Sequence, residues 1–164
     1  MRAPIVGVMG SGELAPDVIC ATAYKLGCQI AQHGWVLLTG GRNVGVMDAA
    51  SRGALDAGGL TVGILPDAEA RALSDSVIIP IFTDMGSGRN NINVLSSQVV
   101  VACGLGAGTT AEIALAIKAQ KPVIMMGMDP LTVSFFQRLG PVMVAATVER
   151  AIDQIQSCLA KTND

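Results

Sequence analysis

In the segment QVVVACGLGAGTTAE (residues 98–112), an unbroken apolar run gives way to three glycines, then to a threonine pair and a glutamate. An apolar run without alternation, Gln98 to Cys103, suits a strand covered on both faces, the condition of strands in a parallel sheet. From Thr110 to Ala119 the apolar residues take helical period, so the glycines mark a strand-to-helix turn. The same arrangement recurs outward in both directions. Pro4 to Met9 predicts a buried strand, and Ala15 to Gln32 a helix whose C-terminus is capped around His33-Gly34. Trp35 to Thr39 predicts a second strand, followed after Gly40-Gly41 by a helix over Val44 to Ala57. Leu60 to Leu65 and Val77 to Phe82 predict two more strands, the latter pushed toward a sheet edge by Pro80. Between them, Asp67 to Ser76 has no period and predicts a loop with a short helix. Asn90 to Ser97 predicts a helix, Val123 to Met126 and Val142 to Ala145 strands, and Val148 to Leu159 a closing helix. Strands separated by helical segments imply right-handed crossovers. The expected fold is an α/β, Rossmann-like three-layer sandwich with a mostly parallel sheet, one domain over residues 1–164.

Composition narrows the function. The 164 residues are 51% hydrophobic and 15% charged, which excludes disorder, and aromatics are only 3%. A formal charge of −2 and so few aromatic rings offer neither a basic surface nor a stacking platform, so nucleic acid is excluded as a partner. Mean hydropathy is +0.51, yet no apolar run reaches the roughly 18–20 residues that span a bilayer, so no membrane role is expected. The N-terminal apolar run is closed by Gly10-Ser11-Gly12-Glu13 and carries no signal-peptide pattern. Cys20, Cys28, Cys103 and Cys158 form no C-x-x-C pair. Zinc and redox motifs are therefore absent, and the four read as buried thiols of a cytoplasmic chain.

In such a sheet, ligands bind beyond the carboxyl ends of the strands. Four loops there are glycine-rich: Gly10–Gly12, Gly40–Gly45, Gly86–Arg89 and Gly104–Thr109. Glycine lets backbone N–H groups approach a ligand, and the helix behind each loop favours negative charge. A cleft for a phosphorylated or otherwise anionic small molecule is expected. Gly10-Ser11-Gly12-Glu13-Leu14-Ala15 fits the dinucleotide pattern G-x-G-x-x-[GA], but the second strand ends in Leu38-Thr39-Gly40-Gly41 with no carboxylate for a ribose. NAD is therefore disfavoured, and no Walker A sequence occurs anywhere. Arg42 and Arg89 are the cations of these loops, and either could clamp a phosphate, although Arg42 reads first as a solvated loop charge. Arg89 stands at a helix N-terminus, where a cation opposes the dipole, and so reads as a ligand contact. Thr109-Thr110-Ala111-Glu112 fits a capping box; Glu112 could equally be a carboxylate at the cleft rim, orienting water or binding hydroxyls.

Thr39-Gly40-Gly41 through Gly45-Val46-Met47 resembles the GGGxxG[LV]M segment of the lysine decarboxylase-like, or Lonely Guy, superfamily. Gly106 to Glu112 resembles the second half of its PGGxGTxxE signature, and Met85 to Asn90 stands where it carries Met followed by Arg-Lys. The resemblance extends from Ile5 to about Ile155. One branch, the phosphoribohydrolases, releases free base from cytokinin nucleoside 5'-monophosphates, and implies Arg89 and Glu112 as a catalytic pair. The other branch, the molybdenum cofactor carrier proteins, implies binding of the molybdopterin cofactor without turnover. Here Gly104-Leu105 replaces the hydrolases' Pro-Gly and Asn90 their Lys, and the run from Met85 to Leu95 is nearer the carrier branch.

The carrier reading implies contacts from Gly10, Ser11, Gly12, Glu13, Thr39, Gly40, Gly41, Asn43, Gly45, Met85, Gly86, Arg89, Asn90, Gly106, Gly108, Thr109 and Thr110. Molybdate itself is a related ligand for the same loops. No protein ligand to the metal is expected, since Cys103 reads as a core residue. Molybdoenzyme apoproteins are the implied recipients, and a homo-oligomer, dimer or tetramer, the implied assembly. The apolar and small residues over Asn90–Ser97 and Thr110–Ala119 point the same way.

Overall fold

The computed structural model describes residues 3–162. Along the chain run β1 (Ile5–Gly10), α1 (Asp17–Gln32), β2 (Val36–Thr39), α2 (Gly45–Asp56), β3 (Thr61–Leu65) and β4 (Ile79–Phe82). They are followed by a 3-10 turn (Gly86–Gly88), α3 (Arg89–Ser96), β5 (Val99–Cys103) and α4 (Ala107–Lys118). The chain ends with β6 (Val123–Met126), α5 (Pro130–Gln137), β7 (Met143–Val144) and α6 (Val148–Thr162). The seven strands form a single sheet in the order β4-β3-β2-β1-β5-β6-β7, and every pairing is parallel.

Both faces of the sheet are covered, as the solid apolar runs require. Val6, Val8, Val99, Val101 and Cys103 point to the layer of α1, α2 and α6; Met9, Val100, Ala102 and Met125 point to the layer of α3, α4 and α5. The first layer is thin. A Cβ on Gly27 of α1 would overlap the Ala50 carbonyl oxygen, and one on Gly53 of α2 the Tyr24 carbonyl oxygen, so these two helices pack backbone to backbone. Pro80 sits on the edge strand, as its missing N–H demands.

Three local expectations need correction. The 67–76 stretch contains no helix; it folds back so that Leu73 bridges to Arg42 and the Ser74 hydroxyl donates to Asp48 at 2.7 Å. The helix α5 was not expected from sequence. Asp129 starts it, its side chain accepting from the backbone N–H of Leu131 and Thr132, with Pro130 at the first helical position. The third concerns α4. It begins at Ala107, not Thr110, with the extended Gly106 (φ −152°, ψ 171°) as its cap, so Thr109 and Glu112 are helical residues and no capping box forms.

The chain runs outward from β1 to β4, then returns to the other side of β1 as β5. That reversal between β1 and β5 opens a crevice beyond their carboxyl ends.

Candidate functional site

The crevice is a cleft of about 360 Å³, within the ~300–1,000 Å³ usual for small-molecule sites. Its floor is Met9 and Gly10, and the loops after β1, β2, β3, β4 and β5 supply its walls. Local backbone bonds fix those loops. Val46 N–H donates to the Ser11 carbonyl at 3.0 Å, Gly86 N–H to the Pro66 carbonyl at 3.0 Å, and Gly104 N–H to the Met126 carbonyl at 2.9 Å. Gly45 holds a positive φ of 53°, and a Cβ there would overlap the carbonyl oxygens of Ser11 and Gly12. Only glycine lets the β1 and β2 loops meet this closely.

One end of the cleft is built for an anion. Gly106, Ala107, Gly108 and Thr109 form the first turn of α4, where the backbone N–H groups have no partner within the helix and the dipole is positive. Ser11, beside this turn, and Thr109, within it, are 7% and 1% exposed, and their hydroxyl oxygens are buried with no hydrogen-bond partner among the described residues. A buried hydroxyl left so costs about 1–3 kcal/mol, which ligand oxygens would recover. Thr110 does not share this role, because its hydroxyl donates to the Gly106 carbonyl at 2.9 Å.

The other end carries charge of both signs. Arg89, the first residue of α3, is 8% exposed, and its Nη1 lies 3.9 Å from Glu112 Oε1. Asn93, one turn along α3, donates its amide to the same Oε1 at 2.9 Å. Gly40 makes room for this arrangement, since a Cβ there would strike the Arg89 guanidinium. Burial lowers the Arg89 pKa from its usual value; Glu112 and Asp67 oppose that and Arg42 adds to it. Burial raises the Glu112 pKa, against the lowering effects of the Asn93 hydrogen bond and Arg89. Arg89 Nε and Asn93 Oδ1 are buried with no hydrogen-bond partner among the described residues.

Of the residues expected from sequence, Gly10, Ser11, Gly12, Gly40, Gly86, Arg89, Asn90, Gly106, Gly108, Thr109 and Glu112 line one cleft. Glu13, Thr39, Gly41, Asn43, Gly45, Met85 and Thr110 do not. Thr39 is fully buried, and its hydroxyl accepts from the Gly41 N–H at 3.1 Å. Asn43 is exposed, its N–H bound to the Ala72 carbonyl at 2.8 Å. Glu13 and Met85 are exposed as well. Sequence reasoning missed Met9, Met47, Pro66 and Ala107, and it read Arg42 as solvated although Arg42 is half-buried in the cleft wall. Its position straight after Gly40-Gly41, at a strand exit, was the available signal. Cys103 is fully buried in the core, as expected, where burial pushes its thiol up to about 12, whereas Cys20, Cys28 and Cys158, also expected to be buried, are only half-buried on the helices of the outer layer.

This cleft, at the β1–β5 reversal with a glycine-started α4 and the Arg89–Glu112 pair, can be compared with known proteins. The SLOG cluster4 family profile matches residues 3–152. The chain belongs to the SLOG cluster4 family. A protein of Archaeoglobus fulgidus described as uncharacterised is 42% identical over 135 residues, which is 78% of this chain and 87% of that protein. Among solved structures, the molybdenum cofactor binding protein of the phototrophic bacterium Rippkaea orientalis is 54% identical, with a TM-score of 0.95 over 97% of this chain and 99% of that one. The molybdenum cofactor carrier protein of Chlamydomonas reinhardtii is 52% identical, with a TM-score of 0.93 and the same coverage. Within this SLOG cluster4 fold, the cleft is bounded by loops from both halves of the sheet.

Proposed function

We propose that this chain binds and carries the molybdenum cofactor, with the cofactor as cargo in the β1–β5 cleft. The observation that carries this is the pair of buried hydroxyls, Ser11 and Thr109, that have no partner among the described residues, at the α4 N-terminus. They are what a phosphate or oxo group requires, in a chain 52–54% identical to molybdenum cofactor binding and carrier proteins. Gly106, Gly108 and the two hydroxyls would hold the phosphate, and Arg89 and Arg42 would balance remaining negative charge. Gly10, Gly12, Gly40, Gly86 and Asn90 would shape the rest of the wall. Molybdate would use the same anion end. Recipients would be apoproteins that need the cofactor.

A homo-oligomer is part of the same proposal. Leu95 of α3, 53% exposed, and Leu105, 44% exposed, stand uncovered with the exposed Ala111 and Ala114 of α4. Apolar surface on one layer of a sheet of this size supports association. No helix of the described residues is long and apolar enough to cross a membrane.

A second reading is favoured by one observation, the proximity of Arg89 and Glu112 in the cleft: a nucleoside 5'-monophosphate phosphoribohydrolase, Arg89 holding substrate and Glu112 assisting water. Two assays separate the readings. The protein is dialysed against isolated cofactor, and retained molybdenum and oxidised pterin are measured. It is also incubated with AMP and isopentenyl-AMP beside a Glu112→Ala variant, and free base is sought by chromatography. The carrier reading expects retention and no base. Absence of binding below about 1 mM, the level of roughly 4 kcal/mol, or base release that vanishes in the variant, overturns it.

A further inference from the structure

We propose that Glu112 reads the donor edge of the ligand's ring, so that the cleft selects an anionic, planar heterocycle with a cyclic guanidine edge. That edge is the ring N–H and adjacent amino group shared by pterin and guanine. The inference rests on the carrier reading above and specifies which part of the cargo is recognised, and by what.

A carboxylate is out of place in the wall of an anion cleft unless it meets donors. Glu112 lines the cleft and is 5% exposed. Its Oε1 accepts from Asn93 at 2.9 Å and faces Arg89 Nη1 at 3.9 Å, beyond hydrogen-bond reach, while Oε2 accepts no hydrogen bond from the described residues. A carboxylate offers about four acceptor positions, and Asn93 takes one. The remainder match two parallel N–H donors, the fork geometry in which a guanidinium meets a carboxylate. Asn93 fixes the plane of the acceptor from behind, since it is itself fully buried and does not line the cleft.

The rest of the cleft suits a flat ring with an anionic tail. Met9, Met47 and Pro66 add apolar wall to its polar lining. Thr109 and Glu112 lie three residues apart on α4, about 4.5 Å along the helix axis. An anion on the first turn and a ring edge on Glu112 are therefore within the span of one small molecule.

The test uses pairs of probes that differ at the amino group. Pterin-6-carboxylate is titrated against lumazine-6-carboxylate, in which an oxo group replaces the amino group, and GMP against IMP, which lacks it. The native protein is expected to prefer pterin over lumazine at least about tenfold, because a site built to hydrogen-bond a group rejects the analogue without it. In Glu112→Gln, which keeps shape but offers one acceptor fewer, the ratio should fall toward one, and in Glu112→Asp it should fall part-way. Equal affinities within both pairs, no binding of any probe up to millimolar, or discrimination that survives Glu112→Gln would each overturn the inference. Discrimination between GMP and IMP alone would keep Glu112 as reader of the edge and move the cargo to a guanine nucleotide. Retention of the cofactor in dialysis stands apart from all of these, so the carrier reading and this inference can fail separately.

Discussion

The Arg89–Glu112 pair can be tested as a stability device before any ligand is identified. At 3.9 Å and an effective dielectric of ~20, two unit charges attract by about 4 kcal/mol, a gross figure that the desolvation of both groups reduces. The two single deletions are not equivalent. In Glu112→Gln, Arg89 stays buried and cannot shed its charge, and it sits at the N-terminus of α3, where the dipole opposes it. We expect a loss of no more than about 2 kcal/mol, because burial already disfavours the ionised carboxylate that the neutral Gln replaces and the cleft admits water on one side. In Arg89→Met, Glu112 can take up a proton and keeps Asn93 as a partner, so a loss of about 1–3 kcal/mol is expected. The double variant should lie above the sum of the two, with a coupling of about 1.5–3 kcal/mol. Urea unfolding at pH 7.5 measures this from the transition midpoints, provided the slopes agree. Inorganic phosphate should recover part of the Glu112→Gln loss by supplying Arg89 with a counter-anion. Additive single effects, with coupling under about 0.5 kcal/mol, would refute the reasoning, since residues that do not interact add within that margin.

Three further outcomes follow from the same structure. Because the Glu112 pKa is raised by burial, the folded state binds its proton more tightly than the unfolded chain does. Stability from this group is then present at low pH and falls as pH rises from the ordinary carboxylate value through the raised one; Glu112→Gln should flatten that segment of a stability–pH profile. Gly27→Ala would drive a methyl against the Ala50 carbonyl at the α1–α2 crossing. Overpacking of about 1–3 kcal/mol, against ~0.5–1 kcal/mol of helix propensity gained, predicts a net destabilisation by thermal melting. Cys103, fully buried with a thiol pKa of about 12, should resist a thiol reagent in the native protein and react on unfolding, whereas the half-buried Cys20 and Cys28 react first.

The strands were legible because burial on both faces leaves β1, β2, β3, β5 and β6 apolar but for Thr39 and Thr61, in runs too short for a helix. Even the edge placement of β4 could be read, from Pro80. The α4 start could not be read, for a physical reason. Thr109-Thr110-Ala111-Glu112 satisfies a local rule for a cap, but Gly104, at φ 70°, turns the chain so sharply that the helix has begun by Ala107. The missed helix α5 carried its own signal, Asp129-Pro130, which its short and wholly local hydrogen bonds then used. In the cleft, glycines that face a ligand and glycines that let two loops touch look alike in sequence. Gly10 and Gly40 line the cavity, but Gly41 and Gly45 serve the backbone around it. The partnership of Glu112 with Asn93 was invisible because it joins two helices on one side of the sheet, with no spacing pattern to announce it.

The strand order also sets a timetable. Val6 of β1 pairs with Val99 of β5, and the anion end of the cleft needs Ser11 together with Thr109. A chain leaving the ribosome can close β1 to β4 on one side, yet possesses only half a cradle until α4 has emerged. A ligand held between Ser11 and Thr109 would tie the half of the sheet built from β1 to β4 to the half built from β5 to β7, across its central pair of strands.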